Sequence, residues 1–275
     1  MTGFAEAVTQ LRQSLKGETT PELTGADYTR RHDRFEAASP QRSLVAQSIQ
    51  RELTGLAEKE VGPIDLLSVG CGDGALDEII LEANAGQIRS YCGIDPNPEQ
   101  IAACRERLSH YPGTSFLHQG MAETIRGAPF SLVYAVHVIY YVGDPGRFID
   151  QLLNVTAPGG LTMVAVAPKS PMNVIAELFW QSQGTDALFS EDVDRLLTEI
   201  GLSYEREEIA ADMPLSLFKG ASADEDVVEF TVQAKLDQLS ETARTALINA
   251  FETSAIEGAD GLSLEHPVDC FWIRR

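Results

Sequence analysis

Leu66-Leu67-Ser68-Val69-Gly70-Cys71-Gly72-Asp73-Gly74-Ala75-Leu76-Asp77 is an apolar run that ends in three alternate glycines, with an amphipathic segment directly after it. The pattern predicts strand, tight turn and helix, with a ligand held where backbone must come close. Glycine alone tolerates positive φ freely and brings no Cβ into that space. Roughly twenty residues further on, the spacing expected of a ribose-binding acid, Tyr91-Cys92-Gly93-Ile94-Asp95 forms a second short apolar run ending in a carboxylate. An acid there accepts hydrogen bonds from ribose hydroxyls. The two runs together predict an adenosine-type nucleoside bound at a parallel α/β sheet.

Charge separates two kinds of nucleoside. Gly70-x-Gly72-x-x-Ala75 also satisfies the loose dinucleotide fingerprint, which places a pyrophosphate on the helix N-terminus. The first helical turn here carries Asp73, Asp77 and Glu78, and the neighbouring sequence has no lysine or arginine. Three carboxylates repel a diphosphate. They suit S-adenosylmethionine (SAM), which carries an ammonium and a sulfonium. The missing lysine also excludes a phosphate-binding GxxxxGK[ST] loop.

The ordered motifs VGCGDG (69–74), GIDPNP (93–98), FSLVYAVHVIYYV (130–142) and APGGLTMVAV (157–166) resemble the class I SAM-dependent methyltransferases, over about Ile64 to Pro168. A further similarity points to the histamine N-methyltransferase-like branch. It rests on Ser68 in place of the usual acid before the glycines, on Glu99-Gln100-Ile101, on Tyr140-Tyr141-Val142, and on a helical segment before the last strand. The resemblance implies that Gly70, Cys71, Gly72 and Gly74 lie against the methionyl part of SAM. It implies that Asp95 and Pro96, helped by Gln100, hold the ribose. Met121 and Ala122 fall where adenine is read, by backbone and packing in place of an acid. Val136 closes the fourth strand at the cofactor, and Tyr28 offers an aromatic face to the sulfonium. Such a face contributes about 1–2 kcal/mol when desolvated.

Methyl transfer needs chiefly a lone pair held in line with an already activated methyl group. An amine nucleophile must first lose its proton, for which His137 and His266 are the available bases, with Tyr140 beside the reacting centre. Gln41 and Tyr141 are expected to read the substrate. Gln41, His137 and His266 stand where the histamine branch has glutamate, glutamine and asparagine, so the acceptor is expected to differ from histamine. The leading expectation is methyl transfer to a small-molecule amine in a capped pocket. The alternative keeps SAM but closes its own side chain into azetidine-2-carboxylate, releasing methylthioadenosine. A non-catalytic SAM-sensing subunit is the third reading.

Composition bounds the partners. A formal net charge of −20 and a pI near 4.5 oppose binding to nucleic acid or to an anionic membrane. Arg30-Arg31-His32-Asp33-Arg34 is short and interrupted by an acid, which fits a solvated helix face. Cys71, Cys92, Cys104 and Cys270 lack paired spacing, which argues against zinc and disulfides and for a cytoplasmic protein. No apolar run reaches membrane-spanning length, and Met1–Glu6 does not resemble a signal peptide. The expected state is a monomer or homodimer.

The pattern predicts a Rossmann-like, doubly wound, seven-stranded sheet whose last strand is antiparallel, with a helical N-terminal segment and a helical cap insertion. Strands are expected near 64–70, 91–95, 114–118, 130–136, 160–167, 203–210 and 263–274, with a long polar helical stretch over 222–256. Pro267 within the final strand suggests an edge or a bulge. The expected organisation is a lid at 1–60, a SAM-binding core at 61–212, a cap at 213–258, and a returning strand at 259–275.

Overall fold

A computed structural model describes residues 2–18, 20–21, 23–59, 63–121, 124–125, 127–258 and 261–275. Three helices open the chain: α1 (Thr2–Ser14), α2 (Gly25–Ala38) and α3 (Gln41–Lys59). Alternation follows through β1 (Ile64–Val69), α4 (Ala75–Ala83), β2 (Ile88–Asp95), α5 (Pro98–Leu108), β3 (Thr114–His118), β4 (Phe130–Val136), α6 (Pro145–Val155) and β5 (Thr156–Val166). Next come α7 (Pro171–Ser182), α8 (Ser190–Glu199), β6 (Tyr204–Ile209), β7 (Asp212–Pro214), α9 (Glu225–Val232) and α10 (Glu241–Ser254). The final strands are β8 (Ile256–Gly258), β9 (Gly261–Glu265) and β10 (Val268–Arg274).

Two compact units are interleaved along the chain. One comprises Arg42–Val166, Ser190–Ile209 and Asp269–Arg275; the other comprises Met1–Gln41, Ala167–Phe189 and Ala210–Val268. The division falls between Gln41 and Arg42, so α3 groups with the sheet and not with the N-terminal helices. It also puts α7 with the helical unit.

In the sheet unit, seven strands run β3-β2-β1-β4-β5-β10-β6. β1, β2, β3, β4 and β5 pair in parallel, whereas β10 is antiparallel to β5, as the sequence predicts. β1 and β4 are almost wholly buried apolar runs, the pattern of strands covered on both faces. Helix α5 packs on β2 and β3, and α6 on β4 and β5. Both helices begin with a proline behind a capping acceptor. Asn97 accepts from the Glu99 N–H ahead of α5, and Asp144 accepts from the Arg147 N–H ahead of α6. Register decides where the functional edge lies. Val69 stands beside Ile94 and Ala135, so Gly70, Asp95 and Val136 leave their strands at one level.

The helical unit is built on buried Leu11, Phe179, Met213, Val227, Phe218 and Phe251. Here α1 packs on α10, α2 on α9, and α7 on both α9 and α10, beside the small sheet β7-β9-β8. The long helix expected over 222–256 is broken. Gln233 takes a left-handed φ of 53° at the end of α9, and Ser240 starts α10 by accepting from the Ala243 N–H. The last predicted strand is also two strands. β9 ends at Glu265 in the small sheet and β10 begins at Val268 in the large one. Pro267 therefore marks neither an edge nor a bulge. It separates two strands of different sheets, where its missing N–H costs no ladder bond.

An ion network ties α2 to α9. The Arg31 guanidinium bonds Glu229 and lies 3.0 Å from Asp27, with side-chain exposures of 8% for Arg31 and 3% for Glu229. The second Glu229 oxygen accepts from the Leu236 N–H at 2.7 Å. Removing one partner of a pair this deeply buried leaves a charge without compensation, which costs about 3–5 kcal/mol. Arg31→Met should therefore lower stability toward urea by about 3 kcal/mol. Loss within 0.5 kcal/mol, the scale of an ordinary surface change, would show that the network contributes nothing net.

Candidate active site

The glycine loop has three different reasons for three glycines. At Gly70, φ is 67°, and a Cβ there would collide with Val138. At Gly74 a Cβ would meet Cys104 Sγ at 2.9 Å, so this glycine lets α4 approach α5. Gly72, with φ 56°, is different: its Cβ would point into space where only Gln100 Oε1 comes near, at 3.9 Å. Gly70 and Gly74 serve packing, and Gly72 faces the cradle.

Asp95 braces that cradle. Its Oδ2 accepts from the Gly72 N–H at 3.0 Å and its Oδ1 from the Asn97 N–H at 2.8 Å. A carboxylate has about four lone-pair sites, so each oxygen keeps capacity for a ribose hydroxyl. The Gly70 and Cys71 N–H groups are tied to the Ile94 carbonyl. The Gly72 N–H thus joins loop and acid, and the Gln100 side chain of α5 comes near the same glycine. The residues fit an adenosine-type cofactor on two counts, the space a Cβ would fill at Gly72 and the unspent lone pairs of Asp95.

Beneath the loop lies a carboxylate whose setting the sequence did not show. Asp77 is buried and accepts from the Tyr134 hydroxyl at 2.5 Å. Burial pushes its pKa up to about 6, against hydrogen bonds from Tyr134, Ser68 and Tyr91 that pull it down, with the nearby Asp73 charge adding to the rise. The first turn of α4 does have a cation beside it, contrary to the expectation from its neighbouring sequence: Arg107 comes in from α5. It bonds Asp73 at 2.8 Å and Glu78 at 2.9 Å. Of the three first-turn carboxylates, two are paired and one is buried. Its distance along the chain hid Arg107, although it is a last-turn basic residue of α5, next to α4.

At the end of β4, Val136 pairs with Ala165 and His137 follows in left-handed backbone, φ 55°. That conformation is uncommon for a residue with a Cβ and marks functional sites more often than chance. The His137 Nδ1 lies 3.1 Å from the Tyr140 hydroxyl, and the two rings stack. Tyr141 ends the same 3-10 turn and is 75% exposed. Beyond β3, the Asp95 carbonyl takes the Gln119 N–H, and Met121 is half-buried; Ala122 lies outside the described residues. The Pro96 carbonyl is bonded by His118 Nε2 at 3.0 Å, a contact that no spacing in the chain announces.

Tyr28, Gln41 and His266 belong to the helical unit. Tyr28 meets Phe230 edge-on at 5.5 Å and stacks on His32. Gln41 and His266 are brought together: the Gln41 amide donates to the His266 carbonyl at 2.8 Å.

This strand order, with a glycine loop after β1 and an acid ending β2, defines a Rossmann-like methyltransferase fold. The chain belongs to the methyltransferase domain family, whose profile matches residues 31–209. Curated relatives match over part of their length. An uncharacterized methyltransferase of Mycobacteroides abscessus is 28% identical over 48% of this chain and 53% of its own. A ubiquinone biosynthesis O-methyltransferase of Rhodopseudomonas palustris is 32% identical over 36% of this chain and 38% of its own. The chain thus spans about half or less of these relatives. Among solved structures, the plantazolicin methyltransferase BpumL with SAH is 14% identical, with a TM-score of 0.57 over 99% of this chain and 97% of that one. N-methyltransferase NodS from Bradyrhizobium japonicum with SAH is 18% identical, with a TM-score of 0.50 over 97% and 98%. Both share the fold. Among the described residues no helix is long and apolar enough to cross a membrane.

The two loop glycines predict opposite failures. Gly72→Ala should fold at a cost of about 1–3 kcal/mol, from its positive φ, yet lose SAM affinity by calorimetry. Gly70→Ala should lose stability more severely through the collision with Val138. Intact SAM binding by a folded Gly72→Ala protein would remove Gly72 from the cradle.

Asp77 gives a pH signature. Its folded pKa lies above the ordinary value of 3.8, so its contribution is fully present below pH 3.8 and is lost as pH rises through about 6. Asp77→Asn lacks this loss. Relative to wild type, the variant should gain stability between pH 4 and 7, on the order of 3 kcal/mol for a shift of about two units. Urea titrations across that range check it; parallel curves would mean that Asp77 titrates normally.

Proposed function

We propose that this chain transfers the methyl group of SAM to a small-molecule acceptor, with an amine as the nucleophile. The observation that carries the reading is the Gly72–Asp95 cradle: an N–H held by the acid, beside space that only a glycine leaves open. Gly70, Cys71, Gly72 and Gly74 would hold the methionyl part by backbone, Asp95, Pro96 and Gln100 the ribose, and Met121 the adenine, with Val136 at the strand end. When bound, SAM supplies a methyl carbon already made electrophilic by the sulfonium.

The chain's own residues then have the work of positioning and proton removal. His137 is held by its unusual backbone and by Tyr140, at the strand end where open α/β sheets place their ligands. It would take the amine proton as the nitrogen lone pair is committed, a role typically contributing 10²–10⁴-fold. Tyr141, exposed beyond the end of β4, would meet the acceptor. The rings of Tyr28, His32, Phe35 and Phe230 form a connected aromatic cluster on α2 and α9. Such rings suit a flat or cationic small molecule, since their faces attract positive charge. The resemblance to the histamine N-methyltransferase-like branch favours an amine for the same reason. Net charge of −20 also favours a cationic acceptor over an anionic one.

The test is incubation with SAM and a panel of amines, scored by S-adenosylhomocysteine release, beside SAM alone analysed by mass spectrometry. Turnover with an amine supports transfer. Methylthioadenosine with a cyclic amino acid from SAM alone would replace transfer by cyclisation. Calorimetric binding of NAD in place of SAM would end both readings. His137→Asn keeps a residue that tolerates left-handed backbone while removing the imidazole. It should leave SAM affinity within threefold and reduce turnover by about 10²-fold or more. Unchanged turnover would take His137 out of the reaction.

A further inference from the structure

The glycine loop cannot hold its own shape. Gly70, Gly72 and Gly74 take positive φ of 67°, 56° and 80°, and a glycine loses more conformational freedom on ordering than any other residue. The shape must come from ties to neighbouring elements. The Gly70 and Cys71 N–H groups bond the Ile94 carbonyl, and the Gly72 N–H bonds Asp95. The next residue, Asp73, is held from α5. Arg107 Nε donates to the Asp73 carbonyl at 3.0 Å, and Nη2 donates to Asp73 Oδ2 at 2.8 Å. The other carboxylate oxygen, Oδ1, accepts from the Ala75 N–H at 3.1 Å. Arg107 Nη1 donates to Glu78 on α4 at 2.9 Å. One guanidinium therefore grips the peptide and the side chain of Asp73, directly after Gly72, together with the first turn of α4.

Exposure and geometry say different things about this contact. The side chains of Arg107, Asp73 and Glu78 are 36%, 37% and 35% exposed. Ion pairs that open to water add little to stability. A guanidinium, however, presents its donors in one rigid plane, so it fixes direction as a point charge cannot. What it fixes here is the peptide between Asp73 and Gly74.

We infer that Arg107 is a positioning residue for SAM, acting through Asp73 to preset the glycine loop in the shape that receives the cofactor. This rests on the Gly72–Asp95 cradle proposed above as the cofactor site. A preset loop has less order to acquire on binding, and the difference appears as affinity. The sign of the effect is distinctive. SAM carries a sulfonium and an ammonium against one carboxylate, so it is a net cation, as Arg107 is. By charge alone, removing Arg107 tightens SAM binding. By loss of the clamp, removing it weakens SAM binding.

The experiment is calorimetric titration of the full chain and its variants with SAM and with S-adenosylhomocysteine. Arg107→Gln should raise the SAM Kd by about tenfold, the scale of one charge-assisted hydrogen bond. S-adenosylhomocysteine should lose the same factor, because a loop effect does not read the sulfonium. Arg107→Lys keeps the charge without the planar fork and should lose most of that affinity too. Arg105→Gln removes a cation from the same last turn of α5, where Arg105 bonds the Phe116 carbonyl, and should stay within about twofold. Arg107→Gln combined with Asp73→Ala should lose far less than the two single losses added, since both remove one contact. Hydrogen exchange of the cofactor-free protein supplies a readout without ligand. Amides over 70–75 should exchange about tenfold faster in Arg107→Gln, with β1 and β4 as well protected as before. If Arg107→Gln fails to fold, Arg107→Lys carries both measurements.

Tighter or unchanged SAM binding in Arg107→Gln would overturn the inference. Full affinity in Arg107→Lys, additive losses for Arg107 and Asp73, or unchanged exchange over 70–75 would each do the same. A wild-type protein that binds no SAM would instead overturn the cofactor reading of the cradle, while the exchange data would still decide whether Arg107 clamps the loop.

Discussion

One hydrogen bond organises the site, from the Gly72 N–H to the Asp95 carboxylate. β1 and β2 are parallel neighbours, and their register brings Val69 beside Ile94. The segments after the two strands therefore leave the sheet at the same level. The acid that ends one strand is placed to hold the loop that ends the other. Because the bond is charge-assisted, it fixes the loop more firmly than a neutral contact does. Each carboxylate oxygen accepts one N–H bond, from Gly72 or from Asn97, and has a further lone pair beyond it. Loop geometry and the start of α5 at Asn97 both hang on a single side chain.

The sheet was legible in the sequence because its signals are local. Apolar runs ending in glycine or acid, and prolines at helix starts, fix strand and helix from neighbours alone. Three other features were not legible, each for a physical reason. Arg107 reaches Asp73 and Glu78 only because α5 lies beside α4, and no spacing rule encodes that approach. The break at Gln233 carries no glycine or proline to announce it, although the capping Ser240 announces the next helix. Pro267 was visible, but a proline inside an apolar run cannot tell an edge strand from a change of sheet. The candidate site divides along the same line. Gly72 and Asp95 could be read from spacing, whereas the bond of His118 Nε2 to the Pro96 carbonyl joins segments that no spacing links.

The carboxylate under the loop shows a different kind of constraint. Asp77 sits among Tyr134, Ser68 and Tyr91, and the thiol of Cys71 and the hydroxyl of Tyr91 crowd the same space below Gly93. An apolar filling of that volume would be easier to bury, but it could not fix direction. Hydrogen bonds of defined geometry can, and so the start of α4 is aimed as well as packed. This is specificity of shape gained from polar groups, at the expense of some desolvation.

The place of β10 has a consequence for how the molecule is made. It lies between β5 and β6, inside the sheet, yet it comes after both in the chain, with the third stretch of the helical unit in between. On the ribosome, β5 and β6 emerge long before the strand that joins them, each with an unpaired row of backbone groups. Until β10 arrives the sheet is an interrupted template, open to wrong partners and slow to complete because its closing contacts are remote in sequence. Assembly of this fold is therefore decided late in synthesis, by a short antiparallel strand that no earlier part of the chain can replace.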